Sequence, residues 1–224
     1  MQRRSLLIIP FFLLVICSQQ SFAQKKNSDV ILKQIKTEMD VNHNYAKALA
    51  LAKDASRDFP RDADFRFLLG RLYYLNRDFA NAERKLDEVI TKTPEYKDAY
   101  ITAANIQLAK NDGTRALQYL NKGQARFGGD REIRIKKLSV YQSYEQYQQG
   151  DLYADSIINL YYRDTMVKRV YVDYYLQTGN AFLKRGLTEM ANRAFAKAVQ
   201  VAPENKDVLS GVLDARMKSG DKQS

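Results

Sequence analysis

The chain has no tryptophan, one cysteine, one histidine and four prolines in 224 residues. Each scarcity excludes something. Cys17 sits in an apolar run near the N-terminus, so from residue 24 onward there is no thiol for a disulfide, a thiolate nucleophile or a metal. His43 stands alone in Asn42-His43-Asn44, a polar stretch that reads as a turn between the first two helices. A solitary loop histidine leaves Cys/His and Ser/His nucleophile systems without their parts, so it reads as a surface residue. No glycine-rich loop is present to cradle a phosphate, and no stretch alternates at period two for long enough to read as a strand. Carboxylates such as Asp87 and Glu88 fall on the solvent face of a helical pattern. No cofactor and no metal site are expected, and nothing in the chain asks for an enzyme.

Long hydrophobic runs are missing as well. The one apolar segment, Ser5–Ser18, is too short to span a bilayer and is interrupted by Pro10. Arg3 and Arg4 precede it, and Ser21-Phe22-Ala23 follows as a small-x-small cleavage site. Residues 1–23 therefore read as a cleaved Sec signal peptide, with a mature chain from Gln24, exported and periplasmic; secretion and outer-membrane association are the alternatives. A lipoprotein signal would place a small residue before the acylated cysteine, whereas Ile16 stands before Cys17. The mature chain is expected to carry no transmembrane segment.

The charge is lopsided: 36 basic against 26 acidic residues, +10 in all, or +8 once the two arginines among residues 1–23 are removed. Lys122, Arg126, Arg131, Arg134, Lys136 and Lys137 cluster against only Asp130 and Glu132. The plainer reading is a solvated helix face; the functional one is a patch for an anionic partner. No motif of a nucleic-acid-binding fold accompanies the charge, and no nucleic-acid partner is expected.

What the chain does have is a period. Leu69-Gly70-x2-Tyr73…Ala82-x3-Leu86…Pro94 is followed by Ala103-Ala104…Ala116-x3-Leu120…Gly128 and later by Gly179-x2-Phe182…Ala191-x3-Phe195…Pro203. Pro60, Pro94 and Gly128 fall at equal steps of about 34 residues. In the best copy, Phe65, Leu68, Leu69, Leu72 and Tyr73 recur at three and four residues, Asn76-Arg77-Asp78 is turn material, and Phe79, Ala82, Leu86, Val89 and Ile90 restart the pattern. That is a helical hairpin, with Gly70 and Ala82 expected to face each other where the helices cross. Period and small-residue spacing resemble the tetratricopeptide repeat. The resemblance implies an all-α solenoid of stacked helical hairpins, a right-handed superhelix that binds other proteins. The domain is expected over 24–219, with repeats at 29–62, 63–96, 97–130, a divergent 131–171, 172–205 and a closing helix 206–219, then a polar tail 220–224. Asn205 reads as the cap of the closing helix, which carries Leu209, Val212 and Leu213.

The rhythm breaks in the middle. The interval from Gly128 to Pro203 exceeds two such steps by seven positions, so seven residues are extra. The spacing of Ile133, Leu138, Tyr141 and Tyr144 predicts a lengthened first helix to about Gln149, a turn at Gly150-Asp151, and a second helix from Leu152 to about Tyr162. Of 15 tyrosines, nine fall between Tyr141 and Tyr175, either as core filler or as a binding surface.

By the repeat register, Phe67, Arg71 and Tyr74, then Ile101, Asn105 and Leu108, then Leu176, Asn180 and Leu183 point into a concave groove that would take a peptide or protein. The plainer alternative is inter-repeat packing for the apolar members. Some tetratricopeptide proteins clamp a chaperone's C-terminal carboxylate with a lysine and two asparagines; Phe67 and Ile101 replace that first lysine here. Ala48-Leu49-x-Leu51-Ala52, Leu68 to Tyr73 and Pro94-x-Tyr96-x-Asp98-Ala99-Tyr100 also resemble the repeat segment before the barrel of YaiO-type outer-membrane proteins, without the barrel. The expected function is a non-enzymatic scaffold in the bacterial envelope with an envelope or outer-membrane partner; a helical enzyme acting on envelope polymers, or an accessory subunit of one, is the alternative. Oligomeric state is left open.

Overall fold

The computed structural model describes residues 27–220. The expected signal segment, and the tail beyond Gly220, lie outside the described residues. Among them are eleven helices and no strand. Helix α1 occupies residues 27–36 and passes into one π-helical turn, Thr37–Val41. The others are α2 (Tyr45–Asp58), α3 (Ala63–Leu75), α4 (Phe79–Lys92), α5 (Lys97–Ala109), α6 (Gly113–Phe127), α7 (Arg131–Ser143), α8 (Tyr147–Leu160), α9 (Thr165–Lys184), α10 (Thr188–Val201) and α11 (Lys206–Gly220). None of these is long and apolar enough to cross a membrane.

Short polar side chains start most of these helices. Asn44, Asp62, Asp78, Asp112, Asp130 and Asp164 each accept a backbone N–H of the first turn, at 2.9–3.2 Å. They satisfy donors that the helix itself leaves unpaired. Asn205 does the same for α11, accepting from Asp207 and Val208 at 3.0 and 3.2 Å.

A second regularity lies in the backbone. His43, Arg77, Asn111, Glu145 and Gly186 all have positive φ, and each stands immediately before the residue that starts the next helix. The left-handed conformation turns the chain sharply where two helices meet. The first four of these turns recur at the same even step that separates Pro60 from Pro94; the fifth comes seven positions late.

That offset relocates the seven extra residues. The first helix of the divergent stretch is not lengthened: α7 has 13 residues, like α3 and α5, and ends at Ser143. Its turn is Tyr144–Gln146, while Gly150 lies buried inside α8. The expected turn at Gly150-Asp151 is therefore wrong. The added residues are in α9, which has 20, two turns more than its counterparts. Gly150 misled because it is needed for packing: a Cβ there would run into the Tyr174 hydroxyl.

The chain forms two compact units, one ending at Lys110 and the other beginning at Asn111. In the first, α2 packs on the π-turn and on α3, α3 on α4, α4 on α5, and α3 also meets α5. Its core gathers Ile35, Met39, Ala48, Ala52, Phe65, Leu68 and Leu72. Gly70 does approach α4, but a Cβ on it would first meet Leu86 at 3.0 Å and Lys85 at 3.3 Å, rather than the expected Ala82. In the second unit each helix from α6 to α11 packs on the next, and α9 also meets α7 and α11. Here the Phe195 ring of α10 lies between two glycines. A Cβ on Gly179 of α9 would come within 2.5 Å of it, and one on Gly211 of α11 within 2.6 Å. In α11 the buried face is Val208, Gly211 and Ala215, while Leu209 and Leu213 are exposed. The closing helix was legible, and of its three expected apolar residues only Val212 packs against the core, half-buried beside Phe195 and Ala215.

Candidate functional site

The expected groove residues divide into those that pack and those that stay available. Phe67 is buried against the Tyr96 ring, centroids 4.8 Å apart. Leu183 is buried with Phe182, Ala191, Phe195 and Ala215. Both are core residues, a correction to the groove assignment. Leu176 is half-buried between two core clusters. Arg71 reaches across to the π-turn and pairs with Asp40 at 3.3 Å, with both side chains near half exposed. Tyr74 leans on Phe79, centroids 6.2 Å apart. On α5, Ile101, Asn105 and Leu108 are half-buried at spacings of four and three, one helix face. In the first unit α5 also packs on α3. Asn180, in the second unit, is exposed.

The expected basic patch is partly spoken for. Arg131 of α7 pairs with Asp164 at 2.6 Å, which holds the Asp164 carboxyl below its ordinary range. Arg134 donates to the Gly128 carbonyl at 3.3 Å. Lys137 donates to Gln124 at 3.2 Å and lies 4.5 Å above the Tyr153 ring. Burial, then the nearby Arg134, pulls Lys137 below the usual lysine range; burial does the same to Lys136 and pushes the Tyr153 hydroxyl up to about 12. Lys122 sits over the Tyr119 ring at 5.6 Å, and both Lys122 and Arg126 are exposed. Arg134, Lys136 and Lys137 are thus half-buried, while Lys122, Arg126 and Arg131 are exposed.

A third feature was only partly legible in the sequence. In the second unit, α8, α9 and α10 enclose a cleft of about 400 Å³ lined by Tyr147, Gln148, Asp151, Tyr175, Phe182, Met190, Arg193, Ala194 and Lys197. Beside it runs a polar network. Asp155 accepts the hydroxyls of Tyr171 and Tyr175 at 3.0 and 3.1 Å and the Lys197 ammonium at 2.7 Å. Lys197 also donates to the Tyr175 oxygen at 3.0 Å. Asp151 accepts from Tyr174 at 3.0 Å. Burial raises the Asp151 carboxyl above its ordinary value; the Tyr174 bond and the Lys197 charge oppose that, and the neighbouring Asp155 adds to it. Burial and nearby aspartate charge push the Tyr174 and Tyr175 hydroxyls far above the usual tyrosine range. Of the nine tyrosines in this stretch, 171, 174 and 175 are buried and Tyr162 is exposed. The tyrosine density was the sequence signal here, but its aspartate and lysine partners come from other helices. Among the described residues, no group of three or more His, Cys, Asp or Glu could hold a metal ion.

Two tetratricopeptide-repeat family models match the sequence, over residues 33–97 and 75–138. No curated protein sequence matches it. Solved structures similar in fold include YrrB, described as a tetratricopeptide protein with an unusual peptide-binding site, at TM-score 0.57 and 14% identity over 86% of this chain and 95% of that one. MamA from Desulfovibrio magneticus RS-1 aligns at TM-score 0.60 and 16% identity over 80% of this chain and 97% of that one. The C-terminal part of a repeat protein from Cytophaga hutchinsonii aligns at TM-score 0.65 and 12% identity, over 83% of this chain and 73% of that one. Such identities speak for the fold alone. With the even recurrence of its turns, the pairing of its helices inside each unit and the two matching models, residues 33–138 carry tetratricopeptide repeats, and the fold is that of tetratricopeptide-repeat proteins.

Proposed function

We propose that the protein is an exported scaffold that holds a protein or peptide partner in the bacterial envelope, on the face that α3 and α5 present in the first unit. A scaffold for protein–protein interaction is what the fold suggests; the face, the peptide and the compartment are our own additions. The observation that carries the face is Asn105. It is half-buried between Ile101 and Leu108, and its amide has no hydrogen-bond partner among the described residues. A carboxamide offers both a donor and an acceptor, which matches a peptide backbone, and half-buried apolar neighbours supply contact area. Arg71 adds a cation whose exposed pairing with Asp40 is weak enough to yield to a ligand. The similar YrrB structure is described as having a peptide-binding site, and a peptide is the ligand class this face fits. The N-terminal pattern of Arg3-Arg4, apolar run and Ala23 supports export.

The test begins with N-terminal sequencing of the protein from cells. A start at Gln24 is expected, and a lipid-modified Cys17 overturns the reading of a cleaved, unlipidated signal. The purified protein, its Asn105→Ala and its Arg71→Ala variants are then cross-linked in envelope extract. A partner bound by the parent should be weakened in both variants at unchanged helicity. The loss for Asn105 should be roughly 0.5–1.5 kcal/mol, one neutral hydrogen bond. A partner held equally by all three proteins sinks the assignment of the face.

A further inference from the structure

The cleft between α8, α9 and α10 lies wholly in the second unit, whereas Arg71 and Asn105 belong to the first, and its chemistry is of another kind. The outer side of α10 explains it. Leu187, Met190, Arg193 and Lys197 follow one another at spacings of three, three and four, so they share one face of the helix. The first two are apolar and exposed, 42% and 45%. The last two are cations. Lys197 is held in place by Asp155 and Tyr175, at 2.7 and 3.0 Å. Arg193 lines the cleft, is exposed, and has no ion pair or hydrogen bond among the described residues. Across from this face, the Tyr147 ring packs on Phe182 with centroids 4.8 Å apart, closing one side with apolar surface.

A surface that is apolar along one half and carries an uncommitted guanidinium on the other is complementary to an acidic, apolar-anchored segment. We propose that this cleft docks such a segment of a partner protein, its carboxylate on Arg193 and its apolar side chain on Phe182 and Met190. A basic segment fits worse. Two of the three aromatic rings lining the cleft are already served by cations, with Lys197 5.0 Å from the Tyr175 ring centre and Arg185 6.0 Å from that of Tyr147. Asp151, the one carboxylate lining the cleft, does not tip the balance back. Its burial disfavours the charged form, and Lys197 stands nearby. A guanidinium with no internal partner is free to make a bidentate pair, which is stronger than a neutral hydrogen bond. At about 400 Å³ the cleft is at the small end of ligand pockets, sized for one or two anchoring side chains rather than a long segment.

The probe is a fluorescein-labelled peptide of alternating leucine and glutamate, read by anisotropy against the full protein. Peptides with glutamine or lysine in place of glutamate are its controls. The glutamate peptide should bind, the other two roughly tenfold or more weakly. Arg193→Glu should lose the glutamate peptide by a similar factor and gain the lysine peptide. Arg216→Glu, an exposed change of the same sign on α11, should leave binding within twofold. Asp151→Asn, which removes the one negative charge lining the cleft, should bind the glutamate peptide at least as well as the parent. Equal binding to Arg193→Glu and parent, preference for the lysine peptide, or no binding of the glutamate peptide at millimolar concentration each overturns the proposal. Because the α3/α5 variants leave this cleft untouched, failure here is distinguishable from failure there.

Discussion

Gly179 and Gly211 show how a single missing methyl group sets a packing distance. Both backbones rest on the same Phe195 ring, and a Cβ at either would lie well inside contact distance. The neighbour is an aromatic ring buried on every side, with no room to give. Gly179→Ala and Gly211→Ala should each lower stability by about 1–3 kcal/mol, the cost of overpacking a close-packed core, as measured by urea unfolding. Asp151 is a different case, decided by burial rather than shape. Its folded pKa is raised above the ordinary 3.8. A carboxyl raised in this way contributes its full stability below its unfolded value, where it is protonated whether folded or not, and loses it as pH climbs through the folded value. At neutral pH the ionised group is therefore a liability. Asp151→Asn, which can still accept from Tyr174, should raise the melting temperature at neutral pH and leave it unchanged in acid below the unfolded value. Equal shifts under both conditions would show that the effect is not electrostatic.

At the scale of elements, the most instructive case is α6 and its entry. Asn111 takes positive φ, Asp112 accepts the Arg115 N–H at 2.9 Å, and Gly113 admits the Tyr144 ring, which a Cβ would meet at 2.7 Å. Three consecutive residues thus have three different duties: turning the chain, starting the helix and receiving a neighbour. Asp112→Ala should cost about 1 kcal/mol, the usual worth of a helix cap, with amide exchange faster in the first turn of α6 and little changed elsewhere. The helix α9 makes the complementary point. Its two extra turns preserve the side that faces its neighbours, because seven residues rotate a helix by nearly two whole turns. An insertion of that length leaves α9 free to contact α7, α8, α10 and α11 as a shorter helix would.

For the molecule as a whole, each unit has a core of its own, and in repeat proteins stability is approximately a sum over units and their neighbours. Damage should therefore stay local. Gly70 closes on Leu86 at 3.0 Å inside the first unit. Gly70→Leu should destabilise that unit by about 1–3 kcal/mol, and hydrogen exchange should quicken in α2 to α5 before α7 to α11. Uniform loss of protection throughout residues 27–220 would refute a local effect.

Helix content, the even repeat step, the Asn205 cap and the apolar stripes were all readable from residue order, because helical periodicity and caps depend on neighbours within four positions. The resemblance to the tetratricopeptide repeat followed from the same spacings. The place of the seven added residues was not readable. Gly150 looks like a turn residue when judged by its sequence neighbours alone, and only Tyr174, on the following helix, shows why a glycine is required there. The groove residues split for the same reason: Phe67 and Leu183 share a register with Arg71 and Asn180, but which of them is covered depends on what Tyr96 and Ala215 bring from other helices. The cleft on α10 lay furthest out of reach. Asp155 and Lys197 are 42 positions apart and meet at 2.7 Å only after α8 and α10 have packed around α9. Local order determined the helices and their beats; which side chains are covered, which charges are paired and where Arg193 is left without a partner among the described residues were decided by tertiary packing, because burial and ion pairing depend on distance in space and not on distance along the chain.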